Sequence, residues 1–99
     1  MPRINLGIIG AGNIAEEHLK VIKNIANFEV VAITSRTLHK AKKLSKVYKI
    51  KEVFSDYKSM INRANIDALL ILVSAESIYT VTKKIIPYKI PFFVEKPPG

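Results

Sequence analysis

The sequence predicts an α/β fold: a doubly wound parallel sheet of about five strands with helices on both faces. Apolar runs rich in β-branched residues recur along the chain without polar alternation, which is how strands buried on both faces read. Between them the apolar spacing lengthens to the helical period. The resulting order, β-α-β-α-β-α-β-α-β, calls for right-handed crossovers between parallel strands.

The first run, "INLGIIG" at 4–10, is a strand. The helix after it has Ile14, His18, Val21 or Ile22, and Ile25 on one face. "FEVVAIT" at 28–34 is the second strand, and Leu38, Ala41, Leu44 and Tyr48 mark the inward face of the second helix. A weaker run, "KEVF" at 51–54, is a short third strand. A short helix over 56–63 carries Tyr57, Met60 and Ile61. "ALLILV" at 68–73 is the fourth strand, a helix over 77–88 carries Ile78, Val81 and Ile85, and "PFFVE" at 91–95 is the fifth strand. No 20- to 50-residue period repeats and no Ser/Gly linker intervenes, so residues 1–99 read as one domain.

Composition narrows the function. At 48% apolar and 24% charged residues the chain is close to the globular average, so its whole length is expected to fold. With no cysteine there is no disulfide and no thiolate metal site, which fits a reducing compartment and an expected cytoplasmic location. No metal site is expected. The longest apolar run, 68–73, falls far below the roughly 20 residues that span a bilayer, and the N-terminus runs straight into a strand, so neither a membrane partner nor a signal peptide is expected. The net charge of +8 raises the possibility of a polyanionic partner. Most of the lysines (Lys40, Lys42, Lys43, Lys46, Lys49, Lys51) fall on a solvated helix face and its exit loop without interleaved aromatics, so the charge reads as a soluble surface and not as a nucleic-acid groove.

The chemistry sits where the first strand meets the first helix. In "GIIGAGNIAEEH", Gly10, Gly12 and Ala15 fit G-x-G-x-x-G/A with alanine as the small third residue. The pattern alone is weak, but it closes an apolar strand and opens an amphipathic helix, the context a dinucleotide fingerprint requires. Gly10 can take the tight-turn geometry, Gly12 lets the main chain approach a pyrophosphate, and Ala15 lets helix and strand pack closely. The free N–H groups around Asn13 and Ile14 then face negative charge. The competing reading is a strand-to-helix turn that needs glycine for shape only.

The acid that would hold the ribose 2′-hydroxyl of NAD at the end of the second strand is missing. The chain reads "AITSRT", with Ser35 in that position and Arg36 beside it. Without a carboxylate a 2′-phosphate is not repelled, and the guanidinium with the hydroxyls of Ser35 and Thr37 supplies donors for one. NADP(H) is therefore favoured over NAD(H). The plainer alternative is that Arg36 is a solvated loop residue and Thr37 caps the next helix.

With "GIIGAGNIAEEHLK", the "SRT" turn and "FFVEKP" laid out in order, the chain resembles the N-terminal Rossmann-type domain of the Gfo/Idh/MocA (glucose-fructose oxidoreductase / inositol dehydrogenase) family over essentially its whole length. The resemblance implies a two-domain oxidoreductase moving a hydride between a nicotinamide and a sugar, cyclitol or related alcohol, in the intact protein a homo-oligomer. The family's E-K-P signature falls on Glu95, Lys96 and Pro97. It implies that Glu95 lies on the cofactor side and that Lys96 sits beside the nicotinamide and the reacting oxygen, where a cation stabilises developing negative charge and can share a proton.

Two departures qualify it. The family's Thr-Pro-x-x-x-His after the fourth strand is matched only by Ser74, Ala75 and Tyr79, so Ser74 is kept as a cofactor contact and the histidine's role is not carried over. His18 reads as a packing residue and His39 as exposed. The substrate domain that the family carries after E-K-P is absent from these residues, so the chain is expected to be a fragment or truncated form, inactive alone. The alternative function is a stand-alone dinucleotide-binding or sensor module without chemistry. A reading frame running roughly 200 residues past Gly99 favours the enzyme; a stop codon there favours the module.

Overall fold

Parallel strands need a crossover of a dozen or more residues, and the helix between each pair of strands supplies one. The computed structural model describes residues 3–94, and in it β1 (Ile4–Ile9), β2 (Phe28–Thr34), β3 (Glu52–Phe54), β4 (Ala68–Ile71) and β5 (Phe92–Val94) form one parallel sheet in the order β3-β2-β1-β4-β5. The predicted doubly wound architecture is what the chain adopts.

Helices α1 (Asn13–Ile22) and α2 (Leu38–Tyr48) cover one face. There Ala15, Leu19, Ala41 and Leu44 pack on Ile8 and Ile33. Helices α3 (Tyr57–Arg63) and α4 (Ala75–Ile85) cover the other, where Met60 and Ile85 pack with Ile9, Ala32 and Ile71. Ile8, Ile33, Leu69 and Ile71 are all fully buried. Each such side chain contributes about 1.5–3 kcal/mol of transfer free energy, so the central strands hold both layers.

Two expectations are corrected. The inward stripe of α1 is Ala15, Leu19 and Ile22: of the predicted pair Ile22 is the buried residue and Val21 is 62% exposed, Ile14 is half-buried against the cluster that holds Ala15 and Leu19, and His18 is half-buried. The smallest side chain is the one driven against the sheet, and the helix ends before Ile25 can join the stripe. The fourth helix starts at Ala75, two residues early, because the Ser74 carbonyl already accepts from the N–H groups of Ser77 and Ile78 (2.9 and 3.1 Å). Its predicted last turn is a separate 3₁₀ turn, Ile86–Tyr88, since Pro87 has no N–H to continue the α ladder.

Between β1 and β2 the register slips once: Leu6 pairs with Val30 but Gly7 with Ala32, leaving Val31 as an extra residue. Val31 and Ala32, although consecutive, both pack into the α3/α4 layer, as a bulge allows.

Candidate functional site

From β1 the chain moves outward through β2 to β3; from β4 it moves the opposite way to β5. Strand order therefore reverses between β1 and β4, and at such a switch point the helices diverge and leave a crevice at the carboxyl ends of the strands. Three strand-to-helix turns meet this edge: Gly10–Gly12 after β1, Ser35–Thr37 after β2, and the segment through Ser74 after β4. Main-chain bonds lock them together, with the Gly10 N–H donating to Thr34 O and the Leu72 N–H to Ile9 O, both at 2.8 Å.

Gly10 has φ +120°, and a Cβ there would overlap the Leu72 carbonyl oxygen. Only glycine fits. At Gly12 a Cβ would meet nothing within 4 Å. Its lack of a side chain leaves open space directly before α1. Gly12 is the N-cap and provides no side-chain acceptor; its carbonyl receives the Glu16 N–H at 3.1 Å. The N–H groups of Asn13, Ile14 and Ala15 have no acceptor within the helix, so they and the helix dipole face the open space. Ala15 is fully buried, which brings α1 close to β1 as the fingerprint requires.

At the β2 turn the Ser35 Oγ accepts the Thr37 N–H at 3.1 Å. Thr37 is the N-cap of α2 by position, yet its hydroxyl makes no capping bond, and α2 has no acid in its first turn. Arg36 is exposed. Thr34 is 2% exposed and its Oγ1 has no hydrogen-bond partner. This turn thus combines hydroxyls, N–H groups and a guanidinium without a carboxylate.

Ser74 is the N-cap of α4, likewise without a capping bond; its Oγ donates to the Ser77 Oγ at 3.3 Å. Tyr79, nearest in sequence to the expected histidine, is 74% exposed, and the Lys83 Nζ lies 5.9 Å from its ring centroid. The fourth turn, after β3, differs. There the Asp56 carboxylate accepts the Ser59 N–H at 2.7 Å and the Ser59 hydroxyl at 3.1 Å. The bond from the Ser59 N–H, with smaller help from the Ser59 and Ser55 hydroxyls, holds the Asp56 carboxyl below its ordinary value.

Gly10, Gly12, Asn13, Ile14, Ser35, Arg36, Thr37 and Ser74 therefore all lie at one edge of the sheet. Glu95 and Lys96 lie outside the described residues; β5 ends at Val94, opposite Ile71, at the same edge. Among the described residues no cluster of His, Cys, Asp or Glu could hold a metal ion, and no helix is long and apolar enough to cross a membrane. That Leu72 enforces glycine at position 10 is invisible in the sequence, because the contact joins segments 62 residues apart.

Comparison with known proteins agrees with this geometry. A family model described as an oxidoreductase family with an NAD-binding Rossmann fold matches residues 4–99. An inositol 2-dehydrogenase from Azotobacter vinelandii is 34% identical over 70 residues, covering 69% of this chain and 21% of that protein. The crystal structure of an oxidoreductase from Thermotoga maritima superposes with a TM-score of 0.87 at 31% identity, over 95% of this chain and 30% of that one. Apo scyllo-inositol dehydrogenase from Lactobacillus casei gives 0.85 at 26% identity, over 97% of this chain and 29% of its own. The chain spans between a fifth and a third of the length of these proteins.

Proposed function

This chain belongs to the Gfo/Idh/MocA oxidoreductase family, and on that premise we propose that residues 1–99 are the dinucleotide-binding domain of a two-domain enzyme. The enzyme moves a hydride between NADP(H) and the CH–OH carbon of a sugar, cyclitol or related alcohol. The observation that carries the reading is the pairing of an open, uncapped glycine turn at Gly12 with a carboxylate-free turn at Ser35–Thr37.

The residues fit the group. Removing the Cβ at Gly12 leaves room for a pyrophosphate, and the N–H groups of Asn13 and Ile14 neutralise it. Arg36, with the hydroxyls of Ser35 and Thr37, takes the 2′-phosphate through charge-assisted hydrogen bonds. Ser74, leading into an uncapped helix at the other side of the switch point, contacts the cofactor nearer its reactive end, and the family's E-K-P signature assigns Glu95 to cofactor binding. When bound, the nicotinamide supplies or accepts the hydride. The Lys96 ammonium stabilises negative charge on the substrate oxygen and passes a proton to or from it. The partner domain supplies the substrate pocket and the oligomer contacts, and the protein works in the cytoplasm.

The test is fluorescence titration of the chain with NADPH and NADH. NADPH should bind more tightly; NADH binding tenfold or more tightly than NADPH would overturn the assignment of Ser35 and Arg36. The 99-residue chain mixed with NADPH and a panel of keto-sugars and keto-cyclitols should give no sustained absorbance change at 340 nm. Sustained turnover would show that the second domain is dispensable.

A further inference from the structure

Two adjoining hollows lie at the opposite edge of the sheet from the glycine turn. They merge where α1 and α2 end and where β2 and β3 begin, sharing Lys23, Tyr48 and Lys49. The larger has a volume of about 490 Å³, within the range of ligand grooves. Its floor is apolar, formed by Leu19, Ile22, Phe28 and Val30. Val47, 59% exposed, widens that floor toward α2.

The rim is basic. Lys20, Lys23, Lys49 and Lys51 surround the groove, and the one acid among its lining residues, Glu29, is already bonded to Arg3 at 2.7 Å. Of the four, Lys20 lies 3.7 Å from Glu17, and Lys23, Lys49 and Lys51 have no ion pair among the described residues. The carboxyl ends of α1 and α2 bring partial negative charge here, about half a unit each. That offsets part of the excess and leaves a positive field over an apolar floor.

We propose that this groove is a docking site for a segment of a partner protein in which acidic residues flank an apolar anchor. Charge complementarity selects the acidic residues. The mainly aliphatic floor selects an apolar side chain over a stacked base, which needs an open aromatic face, and Tyr48 and Phe28 are both half-buried. The dinucleotide turns lie at the far ends of the strands, so docking leaves them open and can attach the domain to a partner while the cofactor is bound.

The experiment titrates the whole 99-residue chain into a fluorescein-labelled peptide of repeating Glu-Glu-Leu-Leu and reads anisotropy. Polyglutamate and a single-stranded oligothymidylate are run beside it. The leucine-containing peptide should bind, and reversing Lys23→Glu with Lys49→Glu should weaken it by about tenfold or more. Reversing Lys42→Glu with Lys43→Glu, exposed lysines outside the groove, should change it less than about twofold. Val47→Ser should weaken the leucine peptide and not polyglutamate. NADPH titration of each variant checks that it remains folded. Equal losses from both lysine pairs would reduce the effect to diffuse charge and overturn the proposal, as would equally tight binding of polyglutamate. No peptide binding would also overturn it, as would tighter binding of oligothymidylate that is lost with Lys23 and Lys49.

Discussion

Helix α3 is capped and its three companions are not. Asp56 closes the start of α3 with a carboxylate, whereas Gly12, Thr37 and Ser74 head α1, α2 and α4 without a side-chain cap. All four helices start at the same edge of the sheet. A cap is worth about 1 kcal/mol to a helix, so forgoing it three times is a measurable cost. The uncapped helices follow β1, β2 and β4, around the switch point, while the capped one follows the edge strand β3. On the proposed function, the cofactor takes the place of the cap around the switch point, while at the edge strand the chain provides its own.

The contrast can be broken most severely at Gly10. Gly10→Ala places a Cβ against the Leu72 carbonyl at φ +120°, and we expect a loss of roughly 3 kcal/mol or more in urea unfolding. An unchanged midpoint would mean that the turn relaxes freely. Gly12→Asp should separate folding from binding. Its side chain meets open space, so it should cap α1 and change stability by only a few tenths of a kcal/mol. By placing a carboxylate in the proposed pyrophosphate site, it should weaken NADPH by about a hundredfold, and retained affinity would put the phosphates elsewhere.

A smaller effect is expected at Arg36. Arg36→Ala should weaken NADPH roughly tenfold and leave NADH nearly unchanged, and an equal loss for both cofactors would make the residue a general electrostatic contributor. The smallest concerns the capped helix. The Asp56 pKa is lowered from 3.8, so its contribution to stability is complete above that ordinary value and is lost as pH falls through the folded value. Asp56→Asn keeps a capping oxygen and cannot titrate. The substitution should leave neutral-pH stability nearly intact and flatten the acid limb of a pH-unfolding series, and an acid limb as steep as that of the unsubstituted chain would remove Asp56 from it.

The succession of strands and helices is legible because its signals are local. Apolar runs bounded by a change of period mark every strand, and the expected roles of Gly10, Gly12 and Ala15 follow from their spacing together with the strand before them and the helix after them. The inward face of α1 is legible in part: the fingerprint assigns Ala15 to close helix-to-sheet packing and the apolar spacing offers Ile22, but a count of large apolar residues passes over Leu19, the residue between them on the stripe. Thr37 was rightly placed at a helix start, but which hydroxyl bonds which N–H depends on χ1, and it is Ser35 that bonds back. The lysine-rimmed groove was hidden because its residues come from α1, α2, β2 and β3. Lys49 and Lys51 were read as an exit loop, and only the fold brings Lys20 and Lys23 beside them.

The extra residue at Val31 acts as a phase joint within β2. Ahead of it, Phe28 and Val30 floor the basic groove; behind it, Ala32 to Thr34 lead into the Ser35 turn. In an unbroken strand the facing of every residue is tied to that of every other by strict alternation. With the joint, the two ends of the strand are set independently by their own neighbours. Sequence drift at one end of the molecule can then be absorbed without turning the residues at the other end inside out.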